Sequence, residues 1–510
     1  MLRPAFTSSR RGGPSERRPM GEFDAFIGGR EIEGEPYTYD PAVPFDWLRA
    51  RMVGGRTNVW GRISLRFGPG DFLPGNRDGI SENWPIGYAD LAPYYDALDR
   101  LIGVTGSIER LPDDPDGIFL PPPAPRAAER LFREACTKIG LRCIPARLSV
   151  LSRAHRGRAA CIGCGNCSRG CRVGACFSSP SVLLAPALAT GRLRLITGAM
   201  ARAIEVSSSG VASAVLYVDV ATGEERRIRA DAVVLAAGAC ETARLLLNSA
   251  TPAFPNGLGN DGGHVGRWLT DTPGIGIDAF IPDLVTTGHS VGAQSGHVYL
   301  PWIPDTPASP IPRGYHIEVR SDAGPPIASS IREIERFAGG GGLGVTLKNA
   351  YREHYGRVVT LAGRGEMIPN SQSYCALDPS VVDRWGIPVL RFHWAWGEHE
   401  RVQAVHMRAR MHAIIDAMGG VMLTGGPWVD AHGMPRPGSM SHEVGCVRMG
   451  ISPDRSALDA SCTVHGVRNL VVADGGPFVS HPNKNPTWTI MALAWRTTGS
   501  LIARSRRRDL

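Results

Sequence analysis

Lysine is almost absent from this chain. Only Lys138, Lys348 and Lys484 occur in 510 residues, and the rest of the positive charge is arginine. The net charge of +8 is spread out, apart from short runs at Arg10–Arg11, Arg17–Arg18 and Arg506–Arg508. No basic face built for nucleic acid is expected from that pattern. No apolar run reaches the ~20 residues of a transmembrane segment. The arginine pairs near the start are followed by no apolar stretch, so no export signal is expected in the chain as written. A cytoplasmic location is therefore expected, with export open only if the true N-terminus lies upstream. A nucleotide fingerprint is also missing. The one formal G-x-G-x-x-G match, Gly339, Gly341 and Gly344, follows a polar segment with helical spacing (331–336) and not a strand. It is rejected as a nucleotide site on that ground.

What is present is the composition of an ordinary globular protein, 43% hydrophobic and 20% charged, long enough for two or three domains. Helices are expected at 83–106, 127–140, 241–248 and 398–418, and strands within 193–217 and 225–236. His399, His406 and His412 ride on the 398–418 helix without sharing one face, so they are read as structural. Alternating apolar segments at 275–281, 296–303, 314–320, 356–362 and 387–394 predict an antiparallel sheet.

Two stretches carry the chemistry. The first runs from His442-Glu443-Val444-Gly445-Cys446-Val447-Arg448-Met449-Gly450, through the buried-strand signal Leu470–Gly475, to Asn485-Pro486-Thr487-Trp488 and an apolar helix. A cofactor of nucleotide type sits at such strand-to-helix crossings. His442 and Asn485 are suited to proton abstraction and substrate orientation there. The second is Cys161-x2-Cys164-x2-Cys167-x3-Cys171, with Cys176 beyond; five of eleven cysteines fall in this loop. Thiolates so spaced can converge on an iron–sulfur core. A structural zinc site and plain buried thiols stay open as readings.

The first stretch, H-x-x-G-x-x-R-M-G followed by N-P-T-x-T-I-M-A-L-A, resembles the C-terminal signature of the glucose-methanol-choline (GMC) flavin oxidoreductases. The glucose/gluconate dehydrogenase and pyranose oxidase-like branches resemble it most. The resemblance implies an α/β fold: an FAD-binding Rossmann-like domain in discontinuous segments, with an inserted α+β antiparallel-sheet substrate domain. The expected boundaries are a mobile segment at 1–35, FAD-binding segments at 36–255 and 431–510, and a substrate domain at 256–430. It implies His442 as catalytic base and Asn485 as its partner, oxidising an alcohol or sugar hydroxyl by hydride transfer to flavin. His481 is either a second polar group at the site or a surface loop histidine.

Gly54, Gly55, Arg56, Thr57 and Asn58 resemble the loop that packs against flavin and pyrophosphate in this family. Val59 stands where some members bond flavin covalently through histidine, so FAD is expected to be held noncovalently. Ala237 and Gly238 match the second signature; Asp474, Gly475, Asn485, Pro486 and Thr487 complete the expected cofactor contacts. The spacing Cys161-x5-Cys167-x3-Cys171 resembles the loop that holds a three-iron cluster in glucose and fructose dehydrogenase flavoproteins. Cys164 leaves a 4Fe-4S cluster open beside 3Fe-4S. Either would relay electrons to an acceptor protein or quinone, making a dehydrogenase the expected type rather than an oxidase.

One departure stands out. The family opens with a strand, a G-x-G-x-x-G turn, a helix and an acidic residue, and nothing of that kind precedes Gly54. Two expectations follow: a start lying upstream, or a truncated or degenerate member serving as a non-catalytic binding or assembly subunit. On either, the chain as written is expected to hold flavin weakly.

Overall fold

The computed structural model describes residues 28–29, 31–164, 167, 170–284, 296–303, 311, 313–321, 344–423 and 433–510. The rejected glycine motif lies outside the described residues except for Gly344, and most of 1–35 lies outside them too.

In chain order the elements are α1 (Tyr88–Ile102), α2 (Ala127–Lys138), β1 (Ile144–Pro145), β2 (Ala199–Val206), β3 (Ala212–Asp219), β4 (Glu225–Arg229), β5 (Val233–Leu235) and α3 (Ala239–Leu247). Next come β6 (Gly274–Phe280), β7 (Val298–Ile303), β8 (Tyr315–Ser321), α4 (Val345–His354), β9 (Val358–Gly365), β10 (Tyr374–Val382), β11 (Pro388–His393), α5 (Glu398–Ala417), β12 (Val421–Met422), β13 (Leu470–Val472) and α6 (Thr487–Arg507).

The two apolar strand signals pair with each other. β5 and β13 run parallel, with Val233 opposite Leu470 and Leu235 opposite Val472. Both strands end at a glycine turn, and Asp474 ties the two turns together. Its Oδ2 accepts from Gly238 N (2.9 Å) and Thr242 Oγ1 (2.5 Å), and its Oδ1 accepts from Gly476 N (2.7 Å). Gly238, at φ +94°, lets the chain turn directly from strand into α3. Beside this pair, β2, β3 and β4 form a three-stranded antiparallel sheet. α6 packs along α1: Trp488 is fully buried and its Nε1 donates to Asp99 Oδ1 (3.1 Å), while Tyr95 and Thr489 share a hydroxyl bond of 2.7 Å.

The substrate region is two sheets, not one. A six-stranded sheet has the order β12-β6-β9-β8-β7-β1, antiparallel throughout its paired strands. Residues 387–394, grouped with this sheet by their pattern, belong elsewhere: β11 pairs antiparallel with β10 and parallel with Thr38–Tyr39. Alternation fixes which face of a strand is buried but not which strand lies beside it. β10 and α4 escaped the sequence reading.

Strand alternation gives the large sheet two different faces. Tyr315, Ile317 and Val319 of β8 and Val359 and Leu361 of β9 are buried apolar residues. This face carries α5: Tyr315 OH meets His406 Nδ1 at 2.9 Å, and a Cβ at Gly363 or Gly365 would collide with Met407 or Gln403. Those two glycines let the helix lie close against the sheet. The opposite face bears His316, Glu318 and Arg320 on β8 and Thr360, Ala362 and Arg364 on β9.

Candidate active site

His442 is held from two sides. Its backbone N donates to Asp271 Oδ1 (2.9 Å), and its Nδ1 lies 3.0 Å from Thr272 Oγ1. On the far side of the ring, Nε2 lies 3.4 Å from Asn485 Nδ2. Two residues far apart in sequence thus meet as expected. Asn485 reaches this place because it stands two residues before α6, whose start at Pro486 and Thr487 has no side-chain cap. The first N–H groups of that helix are left for a ligand.

His481 is the third polar group. It is fully buried, its ring centroid is 6.1 Å from that of His442, and neither ring nitrogen has a well-formed hydrogen bond among the described residues, the Lys484 backbone acting on the ring only weakly. The surface reading of this histidine is thereby excluded. Burial pushes its pKa down to about 3. His442 is likewise held well below the ordinary imidazole value, first by burial and then by the positive field of Arg364 and by His481. Both rings are neutral at physiological pH.

Behind His442 lies a charged network that the sequence pattern did not reveal. Arg56 Nη1 donates to Glu443 Oε2 (2.5 Å) and Ser441 O (2.7 Å), clamping the loop at 54–58 to the loop carrying His442. Asp271, buried close to Glu443, is pushed up to about 7 by burial and by that neighbouring carboxylate. The run Thr270-Asp271-Thr272-Pro273 ahead of β6 was the available signal: polar residues beside a buried strand.

The residues expected to contact a cofactor divide into two groups. Gly55 (φ +50°) and Gly238 (φ +94°) each face open space, where an added Cβ would meet nothing within 4 Å. Ala237 is exposed beside Gly238. Apart from Asn485, Pro486 and Thr487 at the start of α6, the others spend their groups on the fold. Thr57 Oγ1 bonds Gly54 O (2.5 Å) and Ser179 Oγ (2.8 Å), and Asn58 Nδ2 bonds Val53 O (3.0 Å) and Gly55 O (3.1 Å). A Cβ on Gly54 would collide with Pro180, Asp474 serves the two glycine turns, and Gly475 O accepts from Gly445 N (3.0 Å). Arg56 serves Glu443. Val59 is buried in the core.

The cysteine loop departs from its expected ligand set. Among the described residues no group of three or more His, Cys, Asp or Glu side chains is arranged to hold a metal. Cys164 is exposed, whereas Cys176, read as the spare, is buried. Cys176 Sγ lies 3.8 Å from Cys167 Sγ, and Cys176 N donates to Cys171 Sγ at 3.5 Å. Cys167 and Cys176 pack in an apolar cluster with Ile63, Leu65 and Tyr299. Among the described residues the structure therefore gives no support to Cys161, Cys164, Cys167 and Cys171 as a ligand set. The physical reason is that strand pairing at Val150 and Cys176 draws Cys176 inward.

Comparison with known proteins gives this geometry its family. Residues 44–274 and 369–494 match the N- and C-terminal patterns described as GMC oxidoreductase. The chain belongs to the GMC oxidoreductase family. It is 30% identical over 489 residues to 6'''-hydroxyparomomycin C oxidase of Streptomyces lividus, covering 92% of this chain and 82% of that one. It is 27% identical over 469 residues to the fructose dehydrogenase large subunit of Gluconobacter japonicus, covering 88% and 80%. In fold it is similar to formate oxidase of Aspergillus oryzae, with a TM-score of 0.60 at 14% identity over 90% of this chain and 85% of that one. This GMC oxidoreductase acts on CH–OH groups of alcohol or sugar type, and FAD is the cofactor its family implies. The described residues fit the ring-bearing part of such a group. Open backbone at Gly55 and Gly238, an uncapped helix start after Asn485, and the unpartnered Asn485 Oδ1 and His481 nitrogens supply space and polar contacts.

Proposed function

We propose that His442 is the general base that takes the hydroxyl proton of the CH–OH substrate, with Asn485 orienting the same oxygen. The observation that carries this reading is the Asn485–His442–Thr272 chain. An amide N–H directed at Nε2 needs a lone pair there, so the single proton of the neutral ring sits on Nδ1 and is donated to Thr272. Nε2 is then the free base. A hydroxyl placed between the two side chains donates to Nε2 and accepts from Asn485 Nδ2.

Burial keeps the ring neutral and ready to accept. The same burial makes the charged ring costly, and the nearby Glu318 carboxylate lowers that cost. His481 presents a polar ring that excludes bulk water from the reacting carbon. FAD, when bound, supplies the hydride acceptor. Gly55, Gly238, Asn485, Pro486 and Thr487 are the residues that would hold its ring system. Among the described residues the thiols at 161–176 are not arranged as a metal ligand set, so no step is routed through them.

The test is the anaerobic rate at which an alcohol bleaches the flavin absorbance. His442→Ala is expected to slow it about 10²–10⁴-fold, the worth of a positioned general base, while flavin content is unchanged. An unchanged rate would remove His442 from the chemistry.

A further inference from the structure

The polar face of the six-stranded sheet is the second wall of this site, and its side chains have a particular arrangement. Cross-strand register places Tyr299, Glu318, Ala362 and Gly276 in one row, and His316, Arg364 and Gly274 in a second row beside it. Residues paired across strands share a face, so side-chain size falls along the first row to nothing. An added Cβ at Gly276 would meet nothing within 4 Å, which leaves a hollow beside the charged pair Glu318 and Arg364.

That wall abuts His442. Gly274, opposite Arg364, lies against Met440, two residues before His442. Thr272, which holds the ring, is two residues before Gly274, and Met367 pairs with His481. Arg364 and Glu318 are close enough for their charges to act on His442 in opposite directions.

Two features of this wall are unusual for buried charges. Glu318 is buried, yet its Oε2 has no hydrogen bond among the described residues; Arg320 Nη2 stands at 3.5 Å and Arg364 Nη2 at 4.0 Å. Among the described residues Arg364 Nε is also buried without a partner, and Nη1 bonds a neighbouring carbonyl, Gly363 O, at 3.1 Å and no other group. Fully spent, such a pair would close into a short bidentate contact. Held apart, it presents an acceptor and a donor side by side. Buried groups left so are costly unless a ligand completes them.

A hydroxyl is both donor and acceptor, and a single one can satisfy either Glu318 or Arg364. Two hydroxyls on adjacent carbons satisfy both at once. We infer that Glu318 and Arg364 are specificity-determining residues that bind a vicinal diol flanking the carbinol oxidised at His442, so that the substrate is a polyhydroxylated compound and not a simple alcohol. An ammonium substrate is disfavoured because Arg364 and Arg320 outnumber Glu318. This rests on the proposed function for the position of the reacting carbon, but the diol-binding pair is tested independently of turnover.

Three matched probes isolate the feature: cyclohexanol, cis-1,2-cyclohexanediol and myo-inositol. On the full-length flavin-loaded protein, calorimetry is expected to show the diol and inositol binding at least about tenfold more tightly than cyclohexanol. In Glu318→Gln, which keeps shape but exchanges an acceptor for a donor, that preference is expected to vanish while cyclohexanol is unaffected. Thermal melting of the variant verifies that it folds, and Arg364→Lys, which keeps charge but loses the planar fork, should weaken the diol preference in part. Where turnover is seen, KM for the diol should rise relative to KM for cyclohexanol, while any slowing of kcat from the charge lost near His442 is shared by both substrates.

Equal binding of diol and cyclohexanol by the native protein would overturn the inference. So would loss of both ligands together in folded Glu318→Gln. Binding with the expected preference but no bleaching of flavin by any probe would leave the inference standing and sink the base mechanism instead.

Discussion

Two loops of this protein carry dense functional signatures, and the fold treats them in opposite ways. Around His442, Asn485 and His481 three buried polar atoms have no hydrogen-bond partner among the described residues: both nitrogens of His481 and Oδ1 of Asn485. In the loop at 161–176 the sulfurs are turned to one another and to backbone N–H groups, Cys176 to Cys167 and Cys171, and Gly163 N to Cys161 Sγ at 3.4 Å. Burying an unsatisfied polar group costs about 1–3 kcal/mol. A fold that tolerates several at one place is holding them for a ligand; one that satisfies them internally is using them to hold itself. The same test separates Gly55 and Gly238 from Thr57, Asn58 and Asp474.

The comparison can be broken by mutation. Its largest expected difference is the His442→Ala loss already described, set against Cys176→Ser, which should leave the rate at which alcohol bleaches flavin within about twofold. A comparable loss in Cys176→Ser would place the thiol loop in the chemistry and erase the distinction. Asn485→Ala comes next. It removes one oriented hydrogen bond and should slow the same step about tenfold, roughly the worth of a single such bond. A loss as large as that of His442→Ala would mean that Asn485 does more than orient.

Asp271 sharpens the picture through pH. Its carboxyl is pushed up to about 7 from the usual carboxylate value, chiefly by burial and then by Glu443. The sign follows: the folded state holds this proton more tightly than the unfolded chain. Its favourable effect on stability is complete below the unfolded pKa and is lost as pH rises through about 7. His481, depressed to about 3, acts the other way, its contribution being complete above the ordinary imidazole value and lost as pH falls towards 3. Melting temperature followed from pH 4 to pH 8 should show both limbs. The upper one should disappear in Asp271→Asn and the lower one flatten in His481→Gln. Limbs unchanged in both variants would disprove the assignment.

The smallest effect concerns the thiols alone. The hydrogen bond from Cys176, aided by backbone N–H groups and opposed by burial, pulls the half-buried Cys171 down to about 5. Iodoacetamide at pH 6, read by peptide mass spectrometry, should alkylate Cys171 readily because the thiolate is the nucleophile. Cys176→Ala, which removes the donor, should slow that labelling several-fold, and Cys164→Ser should leave it unchanged. Labelling insensitive to Cys176 would show that the pair does not interact in solution.

Much was legible in the sequence because it is local. The 3.6-residue spacing of Leu91, Tyr95 and Leu98 gives α1, and the apolar alternation at 275–281 and 314–320 gives β6 and β8. The glycines that end two buried strands gave the crossing at which His442 and Asn485 meet. Other features arise only when distant segments pair. Register across β6, β9, β8 and β7 is a relation between strands, and it alone puts Glu318 beside Arg364 and opens the hollow at Gly276. β10 carries Asp378, Pro379 and Ser380 in its middle, which obscures its alternation, and it forms because β11 and Thr38–Tyr39 supply the rest of a sheet. Cysteine spacing states which thiols could converge, but the bridge between Val150 and Cys176 decides which ones do. Residue type and spacing determined the chemistry this chain has available. Pairing between segments far apart in sequence decided which polar groups are satisfied and which remain free to act, because hydrogen bonding and burial are properties of the folded neighbourhood and not of the chain.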